Sequence, residues 1–208
     1  MARPSAYDRD DLLRSATALF WQRGFAGTSV EDVVQATGVS RSSLYAAFPD
    51  KSALLLAAIE HYLDTVTRTK LERLARGDRA APAIGRFLMD IAEERPSANG
   101  LAHGCLLTNT AVEIGSGEEK IAERVRQAFA RLERALAARL EEAREQGDLQ
   151  ADTDPRRYAR QLVALVQGLR VMTRLGVEPR AVHDAVRSAL APLNNADAAG
   201  PEREEIRA

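Results

Sequence analysis

The 208-residue chain is 45% hydrophobic, enough for a packed core. Its net charge of −1 excludes a broadly basic surface, so attraction to a polyanion would have to come from local placement of charge. Aromatic residues make up only 5%, and Ala, Leu, Arg and Glu, which lose little side-chain freedom on a helix, are abundant. No alternating run rich in Val, Ile, Thr and Tyr marks a strand, and no apolar run reaches membrane-spanning length. The expected class is all-α. The single cysteine, Cys105, cannot close an internal disulfide, so the chain is expected to be cytoplasmic with no membrane partner.

In chain order, the first predicted helix runs from about Asp8 to Arg23, with Leu12, Leu13, Ala16, Leu19 and Phe20 as its apolar stripe and Gly24 as its stop. Thr28 and Glu31 form an expected capping box for a second helix, which carries Val30, Val33 and Val34 inward and ends at Gly38. Ser40 is expected to cap a third short helix that reaches about Phe48 and stops at Pro49. Asp50 caps a long fourth helix with Leu55, Ile59, Leu63 and Val66 on one face, continuing to Gly77. Further helices are expected over Pro82–Arg95 and Leu101–Ile114, and from a Ser116 cap to about Gln146, the last with Ile121, Val125, Phe129, Leu132, Leu136 and Leu140 inward. Pro155 and Pro179 each open another helix, since a first-turn proline loses no hydrogen bond. The polar residues 195–208 read as a flexible tail.

Two short helices joined at Gly38 match a helix-turn-helix, whose second helix enters the major groove of DNA. Arg41, Ser42 and Ser43 occupy the first turn of that second helix, where side chains reach base edges, and Arg41 could chelate guanine O6 and N7. The N–H groups near Thr28 and Ser40 lie at helix N-termini and suit phosphate oxygens. Residues 1–51 hold six Lys or Arg and six acids, so the local charge balance is neutral.

Gly24-Phe25-Ala26-Gly27-Thr28-Ser29-Val30, Ala36-Thr37-Gly38-Val39-Ser40, Leu44-Tyr45 with Phe48, and Asp50-Lys51 with Leu54-Leu55 resemble the TetR family of transcriptional regulators. The resemblance spans about residues 8–55. It implies phosphate contacts at Thr28, Ser29, Tyr45 and Lys51, and base or backbone contacts at Arg41, Ser42 and Ser43. Ser42 stands where the family often has Gly, and Ala46-Ala47 replace frequent aromatic or His residues. The implied organisation is a three-helix DNA-binding domain over residues 1–52 (motif about 28–48), a larger helical effector-binding and dimerisation domain over 53–194, and the tail. The implied function is a homodimeric regulator, a repressor released from a palindromic operator by a small-molecule effector.

The remaining sequence shows no catalytic constellation, and no enzyme activity, cofactor or metal is expected. His61, His103 and His183 are far apart, and His103 and Cys105 would point about 200° apart on one helix. In the mostly apolar segment Gly104–Glu113, the polar groups suit a ligand pocket, with Cys105, Thr108, Asn109 and Val112 as its expected lining. Ordinary bridging between helices by Asn109 and Glu113 is the alternative there. A Gly-Cys-Leu segment is similar to one in a TetR subgroup, some of whose members sense electrophiles or oxidants through the thiol, whereas a free Cys is more often inert packing. The apolar stripes Leu162, Leu165, Val166, Leu169 and Val182, Val186, Leu190 are expected at the dimer interface, with core packing within one subunit as the competing reading. A DNA-binding dimer that responds to no ligand is the functional alternative.

Overall fold

The computed structural model describes residues 8–77, 79–94, 104–114 and 117–194. Among them the regular structure is helical, apart from one antiparallel bridge between Leu149 and Leu193. The contacts divide the chain into two compact units. The described part of the first comprises residues 8–68, 104–114 and 117–128, and that of the second the rest. The expected tail, the turn at 96–100, His103 and the Ser116 cap lie outside the described residues.

In the first unit, α1 (Arg9–Arg23) starts at Asp8, whose carboxylate accepts from the Asp10 N–H, and ends at Gly24. Leu12, Ala16 and Phe20 are its buried face. α2 (Val30–Thr37) is capped one residue later than expected, by Ser29 and Asp32 rather than Thr28 and Glu31. The reason is packing: Thr28 is fully buried, so its hydroxyl is not at the helix mouth. Gly38 (φ 67°) turns the chain, and Ser40 caps α3 (Arg41–Ala47) by accepting from the Ser43 N–H. Asp50 caps α4 (Lys51–Tyr62), whose Leu54, Leu55, Ala58 and Ile59 are buried. α1 packs on α2 and α4, and α2 on α3.

The expected unbroken fourth helix is interrupted. A π-helical turn, Leu63–Thr67, separates α4 from α5 (Arg68–Ala75). Thr65, Val66 and Thr67 are consecutive β-branched residues, and the Thr65 hydroxyl donates to the His61 carbonyl at 2.7 Å, which suits a locally loosened helix. α7 (Leu106–Ile114) starts later than expected, after Gly104 in a left-handed conformation (φ 63°), and packs on α1 and α4.

In the second unit α6 (Ala80–Ala92), α9 (Pro155–Arg174) and α10 (Pro179–Leu190) pack on one another. The Asp154 carboxylate caps α9 through the Arg157 N–H at 2.6 Å. α8 (Glu119–Glu145) contributes Leu136, Leu140 and Ala143 to the same core, which Ile84, Leu88, Leu162, Leu169 and Val186 complete. The Arg139 guanidinium donates to the carbonyls of Gly77 and Arg79, at 3.2 Å each, and so satisfies the turn before α6.

Candidate nucleic-acid interface

The helix-turn-helix rests on a small buried set: Val33 from α2, Val39 from the turn, and Leu44 with Phe48 from α3 and its end. Burying these four holds two helices too short to persist alone. The opposite side of α3 is open. Ser40, Arg41 and Ser42 are exposed in and before its first turn, Ser43 is half-buried, and Tyr45 is 41% exposed one turn on.

Local bonds fix these side chains. The Ser40 hydroxyl lies 3.1 Å from that of Ser42 and 2.9 Å from that of Ser43. The Arg41 guanidinium sits 3.2 Å from the Glu31 carboxylate and over the Tyr45 ring at 5.7 Å. Both partners are exposed, so the pair is weak and can yield to a phosphate or a base. On α2, Ser29 is exposed, but its N–H donates to Asp32 at 2.7 Å and its hydroxyl accepts from the Asp32 N–H at 3.1 Å.

Two expected contact residues have inward duties. Thr28 is corrected from a phosphate ligand to a structural residue: it is 0% exposed, and its hydroxyl donates to the Gly24 carbonyl at 2.8 Å. A β-branched residue whose hydroxyl is taken up inside cannot face a phosphate. Lys51 donates to the Phe25 carbonyl at 2.9 Å, and its ammonium lies 4.2 Å from the centre of the Phe25 ring. Two of its three N–H donors are left for other acceptors. Further residues hold the same scaffold: Glu113, the alternative bridge between helices from its sequence, and Arg9 and Arg23, which sequence reasoning missed. Glu113 accepts from the N–H groups of Phe25 and Ala26, Arg23 pairs with Asp32 at 2.9 Å, and Arg9 lies over the Phe48 ring at 5.4 Å. Their partners lie from nine to 88 residues away, and no spacing rule announces them.

Comparison with known proteins matches residues 12–58 to the family of bacterial regulatory proteins called tetR, and residues 86–189 to the tetracyclin repressor-like C-terminal domain. The transcriptional repressor ComR of Escherichia coli is 30% identical over 175 residues, covering 84% of this chain and 83% of its own. The chain belongs to the TetR family. The transcriptional regulator AcuR of Cereibacter sphaeroides is 26% identical, covering 85% of this chain and 81% of its own. A solved structure of a cysteine-substituted CifR, a TetR-family regulator bound to a 26-base-pair operator duplex, shares 28% identity with a TM-score of 0.80, covering 92% of this chain and all of that one. The protein is therefore a DNA-binding transcriptional regulator and not an enzyme.

For a TetR-family chain, the two remaining sets of expected residues are placed unevenly. Cys105 and Thr108 are buried and Asn109 half-buried, but Val112 is 80% exposed and leaves the expected pocket lining. Burial changes along α7 as well as around it, which periodicity does not register. The Tyr62 hydroxyl lies 3.6 Å from the Cys105 sulfur, and Trp21 meets Tyr62 edge-on at 5.0 Å while donating to the Gly104 carbonyl. A cavity of about 400 Å³ lies elsewhere, between α5 and α6, with Leu74, Ala83, Phe87 and Ile91 as its apolar lining and Lys70, Arg73 and Arg86 among its cations.

The expected dimer stripes are also corrected. Leu162, Val166, Leu169, Val182, Val186 and Leu190 are each at most 4% exposed within the single chain, and only Leu165 is half-buried. They are the chain's own core. The outward line of α9 is Gln161, Ala164, Gly168, Val171 and Leu175, spaced by three and four residues. Val171 is 45% and Leu175 74% exposed, and no atom lies within 4 Å of where a Gly168 Cβ would stand.

Proposed function

We propose that the protein is a homodimeric repressor that reads a palindromic operator through the N-terminal turn of α3 and leaves it when a small molecule binds. The observation that carries this reading is the exposed set Ser40, Arg41, Ser42 and Tyr45, held by a packed three-helix scaffold. Arg41 is the base reader, bidentate to a guanine, while Ser42, Ser43 and Tyr45 hold backbone or bases. Ser29, the mouth of α3 at Ser40, and the free donors of Lys51 take phosphates.

Two half-sites roughly 34–36 Å apart require two recognition helices, hence a dimer. Its seam is the exposed line of α9, where small Ala164 and Gly168 permit close approach and Val171 and Leu175 supply apolar area. The effector would bias the dimer toward a spacing that no longer fits successive grooves. The α5–α6 cavity, of a size usual for ligand sites, and the polar groups at Thr108 and Asn109 are the places to seek it. No described helix is long and apolar enough to cross a membrane, and we assign the protein to the cytoplasm, with the chromosome.

The test is selection of bound sites from random-sequence DNA, followed by footprinting. A palindrome protected on one face, with half-sites one helical turn apart or a multiple of it, is the expected result. Binding without any preferred sequence would reject the operator reading.

A further inference from the structure

The turn between α1 and α2, residues 24–27, has no regular secondary structure to hold it, so its conformation depends on what its backbone groups meet. The Phe25 N–H donates to the Glu113 carboxylate at 2.7 Å and the Ala26 N–H to its other oxygen at 2.6 Å. The Phe25 carbonyl accepts from Lys51 of α4, and the Gly24 carbonyl from Thr28. One carboxylate from α7 thus grips two successive amides immediately before the helix-turn-helix. Such charge-assisted bonds are stronger than neutral ones and directional.

Gly24 supplies an independent observation. It stands at φ 76° and ψ −178°, a conformation kept almost wholly to glycine, and a Cβ there would come within 2.5 Å of a Glu113 oxygen. The Glu113 carboxylate thus lies directly against the Gly24 backbone. At its other end α7 is tied to the same helix α1, where the Trp21 indole donates to the Gly104 carbonyl at 3.1 Å. α7 and the residues that lead into it therefore hold the last turn of α1 and the chain that follows it.

We propose that Glu113 is a positioning residue for operator recognition: its carboxylate carries the position of α7 to the turn from which α2 and α3 are presented to DNA. The inference rests on the DNA-binding function and adds to it the element that sets the register of the reading head. Movement of α7 withdraws the carboxylate, frees the turn and lowers sequence-specific binding, while nonspecific binding, which tolerates loose placement, persists.

The test compares wild type with Glu113→Gln, which keeps the shape and one acceptor but turns the amide NH2, a donor, toward the second N–H. Binding to a selected operator should fall about five- to tenfold, with nonspecific binding and thermal midpoint little changed. Amide exchange at Phe25 and Ala26 should quicken while that of the α1 core stays slow. Equal losses on operator and unrelated DNA, or an unchanged operator affinity, would overturn the proposal. So would unprotected Phe25 and Ala26 amides in the wild-type protein, a measurement that needs no variant. A wild type that prefers no operator at all would reject the operator reading first, which separates the two failures.

Discussion

The proposed base reading by Arg41, exposed in the first turn of α3, can be separated from phosphate binding. Arg41→Ala should weaken operator binding by about 1–3 kcal/mol and relax preference at one base pair, whereas Lys51→Ala should weaken unrelated DNA as well and reduce the salt slope by about one unit. Fluorescence anisotropy on operator and scrambled duplexes across a salt series separates the two. Lys51→Ala should also lower the thermal midpoint, because its bond to Phe25 is lost. Asp32 makes a second prediction. The Ser29 hydroxyl, then the Ser29 N–H, then Arg23 hold its carboxyl below the ordinary aspartate value of 3.8. A depressed folded pKa means that the cap stabilises fully above the unfolded value and loses that contribution as pH falls through the folded one. The stability difference between wild type and Asp32→Asn should therefore be constant near neutrality and shrink only in acid below 3.8, as urea unfolding at several pH values would reveal. A difference that shrinks near neutrality instead would exclude Asp32 as its source.

Among the elements, α9 separates two kinds of apolar residue that look alike in sequence. Leu162 is wholly buried against the chain's own core, and Leu162→Ala should cost about 2–5 kcal/mol of stability. Val171→Glu, on the exposed line, should leave the fold intact and give monomers in sedimentation, with a large loss of affinity for a palindromic site. A Val171→Glu protein that stays dimeric would move the seam to another face.

For the protein as a whole, the proposed response to a small molecule can be read from stability and operator binding together. A specific effector at a hundred times its dissociation constant should raise apparent stability by about 2.7 kcal/mol. By linkage, the same compound must weaken operator binding by the factor that operator weakens its own. Thermal shift and operator titration with one compound panel test both. A compound that raises the midpoint in a saturable way yet leaves operator affinity untouched would reduce the second unit to assembly.

Sequence by itself determined most of the helices, the caps at Ser40 and Asp50, and the first turn of α3, because these follow from local spacing and from which polar side chains can reach a free N–H. The family pattern was equally legible, since it lies in neighbouring residues between Gly24 and Leu55. Tertiary structure decided what each apolar or polar residue faces. It moved the α2 cap from Thr28 to Ser29, sent six expected interface residues into the core, exposed Val112 and brought Glu113 to the Phe25 amide. The reason is physical: periodicity reports that a helix has an apolar stripe, but only the packed chain shows whether that stripe meets its own core or open surface. Contacts between residues 87 or 88 positions apart, such as those of Glu113, leave no periodic trace at all.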